Sequence, residues 1–100
     1  MNNNEIAEVF QDIANLLKLK GENVFKIRAY QNAARVIEDM PKELKAMYEE
    51  GEDLKNIPGV GEAIAKKTIE LLTTGKLVFY ENLKAESPGG IESPDNLPKQ

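Results

Sequence analysis

Apolar residues recur along the chain at intervals of three and four, the spacing of one face of a helix. Ile6, Val9, Phe10, Ile13, Leu16 and Leu17 predict a first helix from Asn4 to Leu19, with an Asn to cap its start and Gly21 to stop it. Phe25, Ala29, Ala33, Val36 and Ile37 predict a second over 24–39. A third is expected to start with Pro41 at its first position and run through Leu44, Met47 and Tyr48 to Gly51. One short turn over 53–56, capped by Asp53, leads into a tight loop, Ile57-Pro58-Gly59-Val60-Gly61. A fourth helix spans Gly61 to Thr74, with Ile64, Ala65, Thr68, Ile69 and Leu72 on its apolar face and Gly75 at its end. A short fifth covers Phe79 to Ala85. Nothing alternates with period two, so no sheet is expected. The fold class is all-α, a small bundle of four to five helices over residues 1–86. Pro88, Gly89, Gly90, Pro94 and Pro98 make 87–100 a linker or tail. Phe10, Phe25 and Tyr48 are expected in the core.

A length of 100 residues with 41% apolar side chains supports one modest core and no second domain. The chain has no Cys and no His. That excludes disulfides, thiol nucleophiles, His-based triads and zinc-thiolate centres. No apolar run is long enough to span a bilayer, and Met-Asn-Asn-Asn-Glu does not open a signal peptide, so no membrane partner and a cytoplasmic setting are expected. The net charge is −4, but it is segregated. Residues 18–35 sum to +4, residues 38–53 to −5 and residues 55–76 to +2. If the two basic stretches meet in space, they form a patch that the total conceals.

The loop at 57–61 carries the most information. Two glycines one residue apart precede an apolar-periodic helix. The N–H groups of Gly59, Val60 and Gly61, followed by the first turn of that helix, are suited to a phosphate, which oriented amides and the helix dipole both attract. A Gly-x-Gly alone also fits a plain helix–helix turn. The surrounding pattern is more specific. Leu54-x-x-Ile57-Pro58-Gly59-Val60-Gly61-x-x-Ile64-Ala65-x-x-Thr68-Ile69 resembles a helix-hairpin-helix motif, a non-specific binder of DNA backbone.

The resemblance extends outward. Gly21-Glu22-Asn23-Val24-Phe25-Lys26-Ile27-Arg28-Ala29-Tyr30-x-x-Ala33-Ala34-Arg35-x-Ile37, the hairpin, and Thr74-Gly75-Lys76-Leu77 resemble the N-terminal domain of family X DNA polymerases, the DNA polymerase beta-like family, and fit its bacterial and archaeal branch best. It covers about residues 5–85. It implies a monomeric helical module that holds the 5′-phosphate side of gapped, nicked or 5′-phosphorylated DNA in repair. The polymerase carboxylates of the family lie in a later domain, so these residues cannot polymerise. The resemblance places the family's Schiff-base lysine, the nucleophile of a 5′-deoxyribose phosphate lyase, on Lys67. It places DNA contacts on Gly59, Val60, Gly61, Lys66, Lys67, Lys26 and Tyr30. It also implies a monovalent cation, Na+ or K+, on the backbone carbonyls of Lys55, Ile57 and Val60, with no other cofactor required. Three positions depart from the lyase pattern: Phe25 replaces a His, and Ala63 and Phe79 replace phosphate-binding lysines. Three functions stay open at this point. They are DNA-backbone binding, lyase chemistry through Lys67, and a protein-interaction module whose hairpin is only structural.

Overall fold

The computed structural model of the chain describes residues 1–86; the expected tail at 87–100 lies outside them. Five α-helices and one 3-10 turn make up the described residues, with no strand among them. They are α1 (Asn3–Leu19), α2 (Val24–Asp39), α3 (Leu44–Glu49), the 3-10 turn (Leu54–Asn56), α4 (Glu62–Thr74) and α5 (Val78–Glu86). No described helix is long and apolar enough to cross a membrane.

The start of α1 is a capping box. The Asn2 side chain accepts the Glu5 N–H at 2.8 Å, and Glu5 accepts the Asn2 N–H at 2.9 Å. Two otherwise unpaired donors are thereby satisfied. Ile6, Phe10, Ile13, Ala14 and Leu17 then form a fully buried stripe against α2. The face that α2 turns inward is not the expected one. Phe25 is 74% exposed and Ala29 is exposed, while Ile27, Tyr30, Ala33, Ala34 and Ile37 are buried. Both stripes pass through Ala33 and Ile37 at helical spacing, so periodicity alone does not choose between them. The stripe that starts at Ile27 places the Tyr30 ring against Phe10. Phe25 is therefore not a core residue, and Tyr48 is exposed as well.

Helix α3 is shorter than expected, and a long-range contact explains it. The buried Asn3 side chain accepts the Leu44 N–H at 2.8 Å and donates to the Lys42 carbonyl at 2.9 Å. Glu43 in turn accepts the Asn3 N–H at 2.9 Å. This bracket holds Glu43 in an extended conformation (φ −72°, ψ 135°), so the helix begins at Leu44 rather than at Pro41. Replacing Asn3 by Ala leaves the buried Leu44 N–H without its partner. The expected cost is about 1–3 kcal/mol, to be measured as a lower urea midpoint with unchanged slope. A midpoint equal to the parent's would show that the bracket does not hold α1 to α3.

The remaining elements close the core from the hairpin side. Leu54, Val60, Ile64, Ala65, Leu71, Leu77 and Leu83 are buried in the same cluster as the α1 stripe. On α4, Leu71 is buried where Ile69 and Leu72 were expected, and those two lie at the border of the core.

Candidate nucleic-acid interface

Asp53 accepts the Lys55 N–H at 3.1 Å and so starts the 3-10 turn, as the sequence suggests. The chain then reverses through a tight turn closed by the Val60 N–H, which donates to the Ile57 carbonyl at 2.9 Å. The Val60 amide, expected to be available to phosphate, is thus spent inside the hairpin, and its side chain is buried. The two glycines do different work. Gly59 has φ +90°, in the region L side chains avoid, and a Cβ there would lie 2.8 Å from Cγ2 of Val36. Gly61 has an ordinary extended backbone (φ −82°, ψ 179°), and a Cβ there would meet nothing.

Gly61 is the N-cap of α4, and no side chain caps it. The starts of α1, α2 and the 3-10 turn are closed by Asn2, Asn23 and Asp53. At α4 the N–H groups of Gly61, Glu62 and Ala63 donate to no acceptor among the described residues. With Gly59 they give the hairpin a set of donors, on exposed residues and without acceptors among the described residues, at the positive end of a helix dipole.

Lys66 and Lys67 follow, four and five residues into α4. Lys66 is exposed, with Glu62 at 3.6 Å. Lys67 is partly buried, and its ammonium lies over the Phe79 ring, 4.8 Å from the centroid. Phe79 arrives there through the α4–α5 turn. Gly75 adopts the left-handed conformation (φ 77°) that ends α4. The Thr74 hydroxyl accepts the Lys76 N–H at 3.1 Å. Leu77 is buried, and Glu70 caps α5 by accepting the Val78 N–H at 2.8 Å. Phe79 is the next residue. Its ring stacks on Tyr30 (centroids 6.1 Å apart, planes 12° apart), and Tyr30 packs on Phe10 in the core. Tyr30, expected at the DNA surface, is 5% exposed and supports the site from beneath. Burial pushes its phenol pKa up.

One residue from each basic stretch acts at this point, Lys26 and Lys67. Burial, and next to it the positive charge of Lys26 on α2, hold the Lys67 amine below the usual lysine pKa, while Glu70 acts in the opposite direction. Lys26 is exposed at the first turn of α2, beside the exposed Phe25. The structure thus brings together Lys26, Lys67 and Phe79, with Tyr30 below them. Sequence reasoning missed Glu70, whose cap on α5 lies eight residues away with no local signature.

The cation set is compatible with the backbone. Among the described residues the carbonyls of Lys55 and Val60 accept no hydrogen bond, and Ile57's accepts only the Val60 N–H, which leaves it a second lone pair. Carbonyl oxygens suit hard cations. No group of three or more carboxylates among the described residues offers an alternative metal site. A separate groove of about 820 Å³ lies behind the hairpin between the end of α2 and α3, lined by Val36, Met40, Met47 and Ile57 among others. It contains none of the candidate lysines.

Known proteins fit this architecture. Residues 1–77 match the helix-hairpin-helix domain family. Over 98 residues the chain is 30% identical to the DNA polymerase/3′-5′ exonuclease PolX of Bacillus subtilis (strain 168), covering 98% of this chain and 16% of that protein. Over 84 residues it is 31% identical to DNA polymerase lambda of Arabidopsis thaliana, covering 84% of this chain and 15% of that protein. The chain therefore spans about one sixth of the length of either relative. With the family matched over three quarters of its length and the hairpin geometry in place, the chain belongs to the helix-hairpin-helix domain family, in the form that resembles the N-terminal domain of family X DNA polymerases.

Proposed function

We propose that this domain binds DNA backbone without sequence preference and holds the 5′-phosphate at a gap, nick or end in DNA repair. The observation that carries the reading is the uncapped start of α4. Its free amides at Gly61, Glu62 and Ala63, with Gly59 in the turn before them, form an anion site on the element that also carries Lys66 and Lys67. Amides and helix ends read phosphate and carry no base information, which suits positioning rather than sequence readout. Lys26 and Lys67 supply two like charges with one side on solvent, an arrangement that a phosphate monoester would relieve. Phe25, exposed beside Lys26, is placed to stack on an unpaired base at a gap. A Na+ or K+ ion held by the carbonyls of Lys55, Ile57 and Val60 would bridge the hairpin to a DNA phosphate and offset part of its charge.

A second reading, lyase chemistry, is favoured by one observation: the Lys67 pKa lies below the usual lysine range. A neutral amine can add to the C1 aldehyde of an open abasic sugar and expel water to form an imine. Against it stand Ala63 and Phe79, which leave the site without two phosphate anchors and so reduce the effective molarity of the aldehyde.

The test is a titration with gapped DNA carrying either a 5′-phosphate or a 5′-hydroxyl, at several salt concentrations. The phosphorylated gap is expected to bind more tightly. Two to four phosphate contacts predict a log–log salt slope of roughly −2 to −4. Equal affinity for the two gaps, or an affinity indifferent to salt, would overturn the reading.

A further inference from the structure

Phe79 occupies a position that the sequence resemblance counts as a lost anchor, yet the structure gives it a specific neighbour. Its ring face lies under the Lys67 ammonium at 4.8 Å, and its other contacts run through Tyr30 to Phe10. While α5 is docked, these contacts hold the ring in place. Glu70 fixes the backbone one residue before it. We infer that Phe79 is a positioning residue: its ring face holds the Lys67 ammonium charged and in place beside Lys26, so that the site presents a fixed cation to a 5′-phosphate instead of a free amine to an aldehyde. The inference rests on the 5′-phosphate reading above and adds what sets the balance between its two chemistries.

Opposing fields act on the Lys67 amine. The groups around the amine are Lys26 from α2, Glu70 from α4 itself, and the Phe79 ring from α5, with Tyr30 behind that ring. Lys66, next in sequence, is exposed and has Glu62 at 3.6 Å. Burial and Lys26 favour the neutral amine, and Glu70 opposes them. An aromatic face is the negative end of a quadrupole and attracts a cation. The ring thus adds to Glu70 and supports the charged form while covering the apolar stem of the lysine. A lysine anchor at this position would add a third positive charge and push Lys67 toward neutrality. Phenylalanine does the reverse, and so weights the site toward binding.

The experiment compares four forms of the protein: the parent, Phe79→Leu, the parent with pentafluorophenylalanine at position 79, and Phe79→Tyr. Leucine keeps an apolar cover and removes the ring. The fluorinated ring keeps the shape and reverses the quadrupole, so it serves if leucine disturbs folding. The Lys67 pKa is read by NMR of the lysine side-chain nitrogen and carbon, without DNA. It is expected to fall by roughly half a unit in Phe79→Leu and by more with the fluorinated ring. Phe79→Tyr should restore the parent value. In parallel, the preference for 5′-phosphorylated over 5′-hydroxyl gaps should fall about two- to fivefold in the first two variants and recover in the third. An unchanged Lys67 pKa in both the leucine and fluorinated proteins would overturn the role of Phe79. A lowered pKa with no change in 5′-phosphate preference would uphold the hold on the amine and overturn the phosphate reading, so the two failures are distinguishable.

Discussion

Substituting Gly59 by Ala should cost the fold about 2–6 kcal/mol, whereas Gly61→Val should leave it folded and weaken DNA binding. For Gly59, two penalties add. A non-glycine residue at φ +90° is strained by roughly 1–3 kcal/mol, and the new methyl would sit 2.8 Å from Cγ2 of Val36. Val36 is β-branched and has little rotamer freedom on a helix, so the hairpin rather than the side chain must yield, at a further cost of about 1–3 kcal/mol. Gly61 carries neither penalty, because its backbone is extended and the space beside it is open. A valine there covers the approach to the Gly61, Glu62 and Ala63 amides. Its stability should stay within about 1 kcal/mol of the parent, the usual scale of a lost glycine N-cap, and its affinity for gapped DNA should fall severalfold. Urea denaturation and a binding titration on the same two proteins decide the matter. A Gly61→Val protein that is folded and binds like the parent would remove the hairpin from the interface.

Removing the Lys67 side chain should produce the largest functional loss. Lys67→Ala deletes a charged donor in a partly desolvated position, where a hydrogen bond to an ion is worth roughly 1.5–3 kcal/mol. Affinity for a 5′-phosphorylated gap should drop about tenfold or more, with a smaller drop for the 5′-hydroxyl gap. The same variant tests the chemistry. Borohydride reduces an imine to a stable amine, so any Lys67 adduct with a 5′-deoxyribose phosphate is trapped covalently. Trapping by the parent should be slow, because the anchors that would hold the aldehyde near the amine are absent at Ala63 and Phe79. Equal trapping by parent and variant, together with a lost phosphate preference, identifies a binding site. Strong trapping by the parent that vanishes in the variant would identify a lyase.

The ends of α1, α2 and α4 were legible in the sequence because each is marked locally. Asn or Gly punctuates them within a residue or two, except that α2 ends just before Pro41, and the apolar spacing between is unambiguous about helix. The hairpin was legible for the same reason. What was not legible depended on residues far apart. The late start of α3 is set by Asn3, some forty residues earlier. The rotation of α2 that exposes Phe25 is set by the packing of Tyr30 against Phe10 and Phe79. The two glycines of the hairpin look equivalent as letters. Only the path of the backbone past Val36 separates the one the fold requires from the one a ligand would use. At the site, the effect of Lys26 on Lys67 follows from charge segregation only once the fold is known. The platform made by Phe79 reads in sequence as a deficiency, and its contribution appears only when α5 is seen docked on α1 with Phe79 under Lys67.

That docking of α5 makes the site a separable equilibrium. The helix is nine residues long, too short to persist undocked. It is moored by Leu77 before it and Leu83 within it, by the Glu70 cap, by the hydrogen bond from the Tyr80 hydroxyl to Asp12, and at its far end by Glu86 on Lys20 at 2.6 Å. Most of these moorings are at the surface, whereas α1 and α2 share the fully buried interior. Detachment of α5 should therefore require less free energy than global unfolding. Each excursion would carry Phe79 off Lys67 and dissolve the platform while the hairpin stayed intact. Amide exchange in α5 thus becomes a clock for the site: its protection factors measure how often the lysine loses its ring, and a ligand that engages Lys67 should slow exchange there more than in α1.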